Sequence, residues 1–229
     1  MKRAISLFFM ADTTNFKKHF VFDLDDTLID GRLFCGESMA RAITQLEPHV
    51  NSKLVVDFHE SVRGATIEDL YKMAIEEFGL KSKLEDLLRL DADIQMKEFP
   101  QMRLFDGVVD ILKFLRESGK TLHVCTNRTM RTLEPILQGH AINGYFEEII
   151  SCADAGYKKP DSKCLLDLVS RYGGDKRDFI YFGDSEVDSE FAKNAGIEFI
   201  IFDQYLNNKN LFKKLINMFL EKKINGMTF

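Results

Sequence analysis

The feature of this 229-residue sequence that most restricts its fold is an apolar run ending in a cluster of carboxylates. Residues 20–30 read FVFDLDDTLID, so that Asp23, Asp25 and Asp26 directly follow three apolar residues. A continuous apolar run is typical of a strand buried on both faces, as in a parallel sheet. Because strand side chains alternate, we expect Asp23 and Asp25 on one side and Leu24 opposite.

Three carboxylates at the end of a buried strand predict a cation site. Neighbouring like charges raise one another's pKa and resist ionising together unless a cation lies among them. A solvated acidic turn is the alternative, but it explains neither the apolar run nor the polar residues that follow later strands. We therefore expect residues 23–26 to bind a hard divalent cation and an anionic substrate.

Composition limits the classes of function. The chain is 45% hydrophobic, enough for a packed core, and its net charge of −5 gives no support to nucleic-acid binding. The four cysteines form no CxxC motif, which indicates reduced thiols in a cytoplasmic protein. A basic start and an apolar run imitate a signal peptide, but residues 4–11 are short and interrupted, and translation could equally begin at Met10. No apolar stretch approaches the ~20 residues of a membrane span, so we expect no membrane partner.

Residues 31–103 change from strand-like to helical periodicity. A helical insertion placed directly after the acidic strand end predicts a lid that closes over the site, although a subdomain that merely packs is the alternative. Within it, a polar break at residues 60–65 carries Arg63. A guanidinium there suits an anionic substrate, and a surface arginine is the other interpretation.

The second half of the chain alternates predicted strands and helices. Residues 121–125 predict a strand that ends in Thr126 and Asn127, and a strand near residues 148–151 leads to Lys159. Polar side chains at the carboxyl ends of parallel strands lie where open α/β sheets bind ligands.

Two more strands follow, at residues 179–182 and 198–202. The first ends in GDSEVD, a second acidic cluster that contains Asp184 and Asp188. A basic amphipathic helix at residues 211–222 is predicted to cover one face of the sheet, with membrane binding as the alternative.

The polar residues at these strand ends suit phosphoryl transfer. A carboxylate can attack phosphorus, and a second carboxyl group can protonate the leaving oxygen and then activate water. Mg²⁺ accepts oxygen ligands, while a hydroxyl and a lysine can hold the phosphoryl oxygens. The candidates are Asp23, Asp25, Thr126, Lys159, Asp184 and Asp188.

With these residues in order, the sequence resembles the haloacid dehalogenase-like hydrolases. DLDDT at residues 23–27, Thr126, Lys159 before a proline, and GDSEVD at residues 183–188 are similar to the four motifs of that family. The insertion is similar to the first cap type, as in phosphoglycolate phosphatase-like members. The resemblance implies a Rossmann-like three-layer α/β core with a central parallel sheet, formed by residues 1–30 and 104–229, and a helical cap domain formed by residues 31–103.

The resemblance also implies roles for the residues of the first two motifs. Asp23 would be the nucleophile and a metal ligand. Asp25 would be the general acid and base, with its backbone carbonyl binding Mg²⁺. Thr126 and Asn127 would bind the phosphoryl group of the substrate, and Arg63 of the cap is the further candidate for substrate binding.

In the last two motifs, Lys159 would orient the nucleophile and neutralise charge, with Lys158 as a stand-in. Asp184 would complete the metal shell, and Asp188 would support Lys159 or a metal-bound water. The family's dehalogenases lack the second aspartate of the first motif, so Asp25 argues for phosphate esters.

The implied function is a Mg²⁺-dependent phosphatase that hydrolyses a small phosphorylated metabolite through an aspartyl-phosphate intermediate. A sugar phosphomutase and a non-catalytic binding protein of the same fold are the alternatives. The sequence leaves the physiological substrate and the oligomeric state open.

Overall fold

The computed structural model of the protein describes residues 17–62, 65–98 and 102–202. Within them, five strands form one parallel sheet: β1 (His19–Phe22), β4 (Thr121–Thr126), β5 (Glu148–Ser151), β6 (Phe179–Gly183) and β7 (Glu198–Ile201). The order across the sheet is β5-β4-β1-β6-β7, so the acidic cluster follows the central strand. All four residues of β1 are buried, as the apolar run predicted.

A short antiparallel pair brackets a helical segment that lies between β1 and β4 in the sequence. We call the parallel sheet and the helices that cover it the sheet domain. Strand β2 (Ile29–Asp30) pairs with β3 (Arg103–Leu104). Four helices lie between them in sequence: α1 (Arg32–Leu46), α2 (Ser52–Ser61), α3 (Ile67–Phe78) and α4 (Leu84–Glu98). We call these four helices the helical insertion.

The other four α-helices of the described residues cover the two faces of the sheet: α5 (Val108–Glu117), α6 (Met130–Gly139), α7 (Lys163–Arg171) and α8 (Glu186–Ala195). Alternation along β1 decides which helices each residue meets. Phe20 and Phe22 pack in the cluster that includes apolar residues of α5 and α6. Val21 packs in the cluster formed with α7 and α8. The three-layer α/β fold predicted from the sequence is confirmed.

The insertion has an apolar cluster of its own, built from residues such as Ile43, Val55 and Tyr71. Its helix α3 begins at Ile67, because the Thr66 side chain accepts a hydrogen bond from the amide of Asp69. Gly79 ends that helix in the left-handed conformation, with φ of 61°.

Three sequence predictions fall outside the described residues. They concern the N-terminal stretch, Arg63 and the amphipathic helix at residues 211–222. Among the helices that the structure does describe, none combines the length and the apolar character needed to cross a bilayer.

Candidate active site

The carboxyl ends of three adjacent strands bring the predicted polar residues to one edge of the sheet. Phe22 of β1 is paired with Val124 of β4 and Phe182 of β6. The next residues along each strand therefore meet at the same edge. The backbone amide of Asp23 also donates to the carbonyl of Phe182 at 2.8 Å, which fixes the acidic turn against β6.

A buried lysine joins two of the predicted carboxylates. Lys159 Nζ donates to Asp23 Oδ1 at 2.6 Å and to Asp188 Oδ1 at 2.8 Å. Burial disfavours the ammonium, but the two carboxylates outweigh burial and raise the pKa of Lys159, so it stays charged. The backbone amide of Lys159 donates to Asn127 Oδ1 at 2.9 Å, which ties this loop to the end of β4.

Asp188 is held in place by a dense set of donors. Tyr181 donates its hydroxyl to Oδ1 at 3.1 Å, and Ser185 donates its hydroxyl to Oδ2 at 2.6 Å. Ser185 and Asp188 form the capping box at the start of α8. With its lone pairs occupied in this way, Asp188 is better suited to fixing Lys159 than to leaving an oxygen for a cation.

Asp23, Asp184 and Asp188 each place a carboxylate oxygen within 4.8 Å of the others. Burial raises the pKa of Asp23 to about 7, against the opposing effect of Lys159. Burial, followed by the carboxylates of Asp23 and Asp26, raises the pKa of Asp184 to about 9. Carboxylates this costly to ionise are a fitting donor set for a hard divalent cation, which would supply the missing positive charge.

The Asp25 side chain points into a different set of contacts, and here the structure adds a residue that the sequence analysis missed. Arg128 donates to Asp25 through Nε, at 2.9 Å from Oδ2, and through Nη2, at 2.7 Å from Oδ1. The available sequence signal was weak, because a single arginine two residues after Thr126 has many possible roles.

Other predicted residues lie at the same edge with less distinctive contacts. Thr126 is buried at the end of β4, and its hydroxyl accepts from the amide of Arg128 at 3.2 Å. Lys158 points away from the buried cluster and pairs with Asp69 of the insertion at 2.6 Å. Of the two neighbouring lysines, Lys159 is therefore the one placed against Asp23.

A cavity of about 680 Å³ lies between this edge of the sheet and the helical insertion. Its volume suits a small organic ligand. The insertion contributes apolar residues such as Leu70 and Leu88, together with His59. The imidazole of His59 is packed against Gly36 and has its pKa lowered to about 4 by burial, so it is neutral near pH 7.

Comparisons with known proteins agree with this architecture. The sequence profile described as haloacid dehalogenase-like hydrolase matches residues 20–202. The chain is 30% identical over 182 residues to a phosphoglycolate phosphatase of Agrobacterium fabrum, covering 77% of this chain and 76% of that protein. A phosphoglycolate phosphatase of Salmonella choleraesuis is 29% identical over 195 residues, covering 76% of this chain and 77% of that one.

Solved structures share the fold at lower identity. The crystal structure of CbbY from Rhodobacter sphaeroides in complex with phosphate is similar with a TM-score of 0.67 and 16% identity, covering 81% of this chain and 85% of that chain. The profile match spans most of the chain and agrees with the resemblance inferred from the four motifs. The chain belongs to the haloacid dehalogenase-like hydrolase family.

Proposed function

We propose that the protein is a Mg²⁺-dependent phosphatase that hydrolyses a small phosphate monoester through a phosphorylated Asp23. The observation that carries this proposal is the buried contact between Asp23 and Lys159 at the carboxyl end of the central strand. A carboxylate held by a fixed ammonium is oriented for attack and is placed beside the charge that develops on the transferring group.

Each step has a residue suited to it in this arrangement. Asp23 attacks phosphorus through one carboxylate oxygen while Lys159 holds the other. Asp25 protonates the leaving oxygen and then takes a proton from the water that hydrolyses the acyl phosphate. Thr126 and Asn127 bind the phosphoryl oxygens at the end of β4, and Asp188 keeps Lys159 in place.

The carboxylates of Asp23 and Asp184 and the backbone carbonyl of Asp25 are the proposed ligands of Mg²⁺. When bound, this cation neutralises the phosphoryl group and the buried carboxylates. The raised pKa values of Asp23 and Asp184 support a cation here. Without one, each carboxyl group keeps its proton at any pH below its raised pKa.

We further propose that the helical insertion is a cap domain and that the substrate binds between it and the sheet domain. The cavity of about 680 Å³ is lined both by Asp23 and by insertion residues such as His59. Arg63, which lies between α2 and α3 in the sequence, is proposed to contact the substrate's anionic end. Since relatives are named phosphoglycolate phosphatases, small phosphorylated carboxylic acids are the first substrates to test.

The first experiment measures inorganic phosphate released from a panel of small phosphate esters, with Mg²⁺ and with a chelator. Wild-type protein and Asp23→Asn are compared, because the amide keeps the shape and removes the nucleophile. Turnover that requires both the cation and Asp23 is expected, with a loss of roughly 10³-fold or more in the variant.

Two results would count against the proposal. Phosphate release by Asp23→Asn at the wild-type rate would remove the aspartyl-phosphate route. Absence of release from every ester by folded wild-type protein would direct the search to isomerised sugar phosphates, as expected for a mutase, or to a non-catalytic role.

A further inference from the structure

The Arg128 side chain contacts four other side chains, those of Asp25, Gln95, Thr132 and Cys35. Its Nε and Nη2 hold both oxygens of Asp25, while its Nη1 donates to Gln95 Oε1 at 2.7 Å and to Thr132 Oγ1 at 3.2 Å. Nη2 also lies 3.2 Å from Cys35 Sγ. The side chain is only 8% exposed, so these contacts replace water almost completely.

Two of these partners belong to the helical insertion, and one of them continues into a buried hydrogen-bonded chain. Gln95 of α4 donates from Nε2 to Asp91 Oδ2 at 2.9 Å. Asp91 Oδ1 in turn accepts from the hydroxyl of Ser38 of α1 at 2.5 Å. A continuous path of side chains therefore runs from Asp25, through Arg128, into two helices of the insertion.

We propose that Arg128 is a positioning residue that sets the orientation of the Asp25 carboxyl group according to whether the helical insertion is docked. This inference rests on the proposed function. With the insertion docked, Gln95 fixes one arm of the guanidinium and the fork fixes Asp25. When the insertion moves away, Arg128 loses its contacts with Gln95 and Cys35, and the orientation of Asp25 is no longer determined.

The planar guanidinium is suited to this role in a way that an ammonium is not. Its donors point in fixed directions, so the position of Gln95 is transmitted to both oxygens of Asp25. The consequence falls on proton transfer to the leaving group, which depends on placement of the carboxyl group within hydrogen-bond reach. Binding of the phosphoryl group, in contrast, relies on Lys159 and the end of β4.

Arg131, in the first turn of α6, provides a matched control. Arg131 also joins the sheet domain to the insertion, through Asp93 of α4 at 2.5 Å. Both side chains of this pair are about half exposed, and within the described part of the chain no hydrogen bond or ion pair joins Arg131 to Asp25. Because the pair is half exposed, removing Arg131 should leave the insertion docked, and it removes no contact of the Asp25 carboxyl group.

The test compares kcat/KM for two esters whose leaving groups differ in their need for a proton. One is p-nitrophenyl phosphate, whose phenolate departs unprotonated, and the other is the alkyl phosphate that wild type hydrolyses best. Arg128→Ala should lower kcat/KM for the alkyl phosphate at least about tenfold more than for p-nitrophenyl phosphate. Asp25→Asn should also lower kcat/KM more for the alkyl phosphate than for p-nitrophenyl phosphate. Arg131→Ala should change both esters by the same factor.

Two further variants complete the design. Gln95→Leu keeps Arg128 and the folded sheet domain. It should also lower kcat/KM more for the alkyl phosphate than for p-nitrophenyl phosphate, but by a smaller factor than Arg128→Ala. Combining Arg128→Ala with Asp25→Asn should cost little beyond Asp25→Asn alone, since one acts through the other.

Equal losses on both esters in Arg128→Ala and in Gln95→Leu would overturn the positioning role and leave the phosphatase standing. If wild type hydrolyses neither ester, the proposed function itself fails, and the role of Arg128 fails with it.

Discussion

Gly183 is the residue that allows the site to be as compact as it is. A Cβ atom added there would lie 2.5 Å from Asp188 Cβ and 2.7 Å from Asp188 Oδ2. Asp188 cannot move aside freely, because its carboxylate accepts hydrogen bonds from Lys159, Tyr181 and Ser185. The end of β6 and the first turn of α8 can therefore approach closely only with glycine at this position.

We predict that Gly183→Ala lowers kcat by roughly 10²-fold, because displacement of Asp188 by a fraction of an ångström also moves Lys159 away from Asp23. Steady-state kinetics checks this, with thermal unfolding run in parallel. Gly144→Ala is the control, since a Cβ at that glycine meets no atom within 4 Å. A Gly183→Ala protein with wild-type kcat would show that the close approach has no catalytic importance.

At the scale of single residues, the sequence predicted which acidic and basic residues come together, but not every contact that their side chains make. The predicted strands, and the rule that open α/β sheets bind ligands at the carboxyl ends of their strands, were enough to place Asp23, Lys159, Asp184 and Asp188 at one edge of the sheet. The bidentate contact between Arg128 and Asp25 joins residues 103 positions apart, and it depends on side-chain geometry that no local pattern records. Only three-dimensional packing reveals it.

Among the elements, β1 and β4 carry a buried pair of histidines next to the apolar core. His19 Nδ1 lies 3.2 Å from His123 Nε2, and both rings contact Tyr172. Burial lowers the pKa of His123 to about 4 and lowers that of His19. In the unfolded chain both rings return to a pKa near 6.5.

The sign of the resulting pH dependence follows from proton binding. Between pH 6.5 and about 4, the unfolded chain binds more protons than the folded one, so stability falls as the pH falls. We predict that His123→Gln removes up to about 1.4 kcal/mol per pH unit of this loss. Denaturant unfolding at pH 7 and pH 5 measures it.

His49→Gln is the matched control for this prediction, because His49 is exposed. The variant His123→Gln should have a flatter dependence of unfolding free energy on pH than either wild type or the control. Parallel slopes for all three proteins would mean that the buried histidines do not contribute to acid sensitivity.

The elements that the sequence analysis did not predict are the β2–β3 pair and α6. The strands of the pair have two residues each and are more than seventy positions apart, too short for any periodic signal. Helix α6 contains Pro135, a residue that usually argues against a helix interior. Pro135 lies in the second turn, so the hydrogen bond that an amide there would donate to the carbonyl of Arg131 is missing. The helix is held instead by its buried residues Leu133, Ile136 and Leu137.

At the scale of the whole molecule, polar contacts join the insertion to the sheet domain, beside the packing of Phe34 in the core of the sheet. Lys158 pairs with Asp69, Arg131 pairs with Asp93, and Gln95 accepts from Arg128. The first two pairs are largely exposed and contribute little to stability. Such an interface suits the proposed cap, because it can open without uncovering a large apolar core.

A divalent cation should stabilise the whole molecule through the carboxylates at the end of the sheet. Asp23 and Asp184 repel each other in its absence, which is one reason that the pKa of Asp184 is raised to about 9. Without a cation, we therefore predict that Asp184→Asn unfolds at the same temperature as wild type or higher. With Mg²⁺ at 100 times its Kd, wild type should gain about 2.7 kcal/mol, roughly 5 °C or more in Tm, and exceed the variant.

The pH dependence of this stabilisation follows from the same two carboxyl groups. Their raised pKa values of about 7 and about 9 mean that Mg²⁺ must displace protons, so its apparent affinity should rise from pH 6 to pH 8, by up to about tenfold per pH unit for each proton displaced. Differential scanning fluorimetry with and without Mg²⁺ at both pH values tests this prediction. Glu190→Gln is the control, because Glu190 is an exposed carboxylate of α8. Mg²⁺ should raise the Tm of this variant by as much as it raises that of wild type. An equal Mg²⁺ shift in Asp184→Asn would exclude Asp184 from the cation site, since a lost ligand has to weaken the stabilisation that it supports.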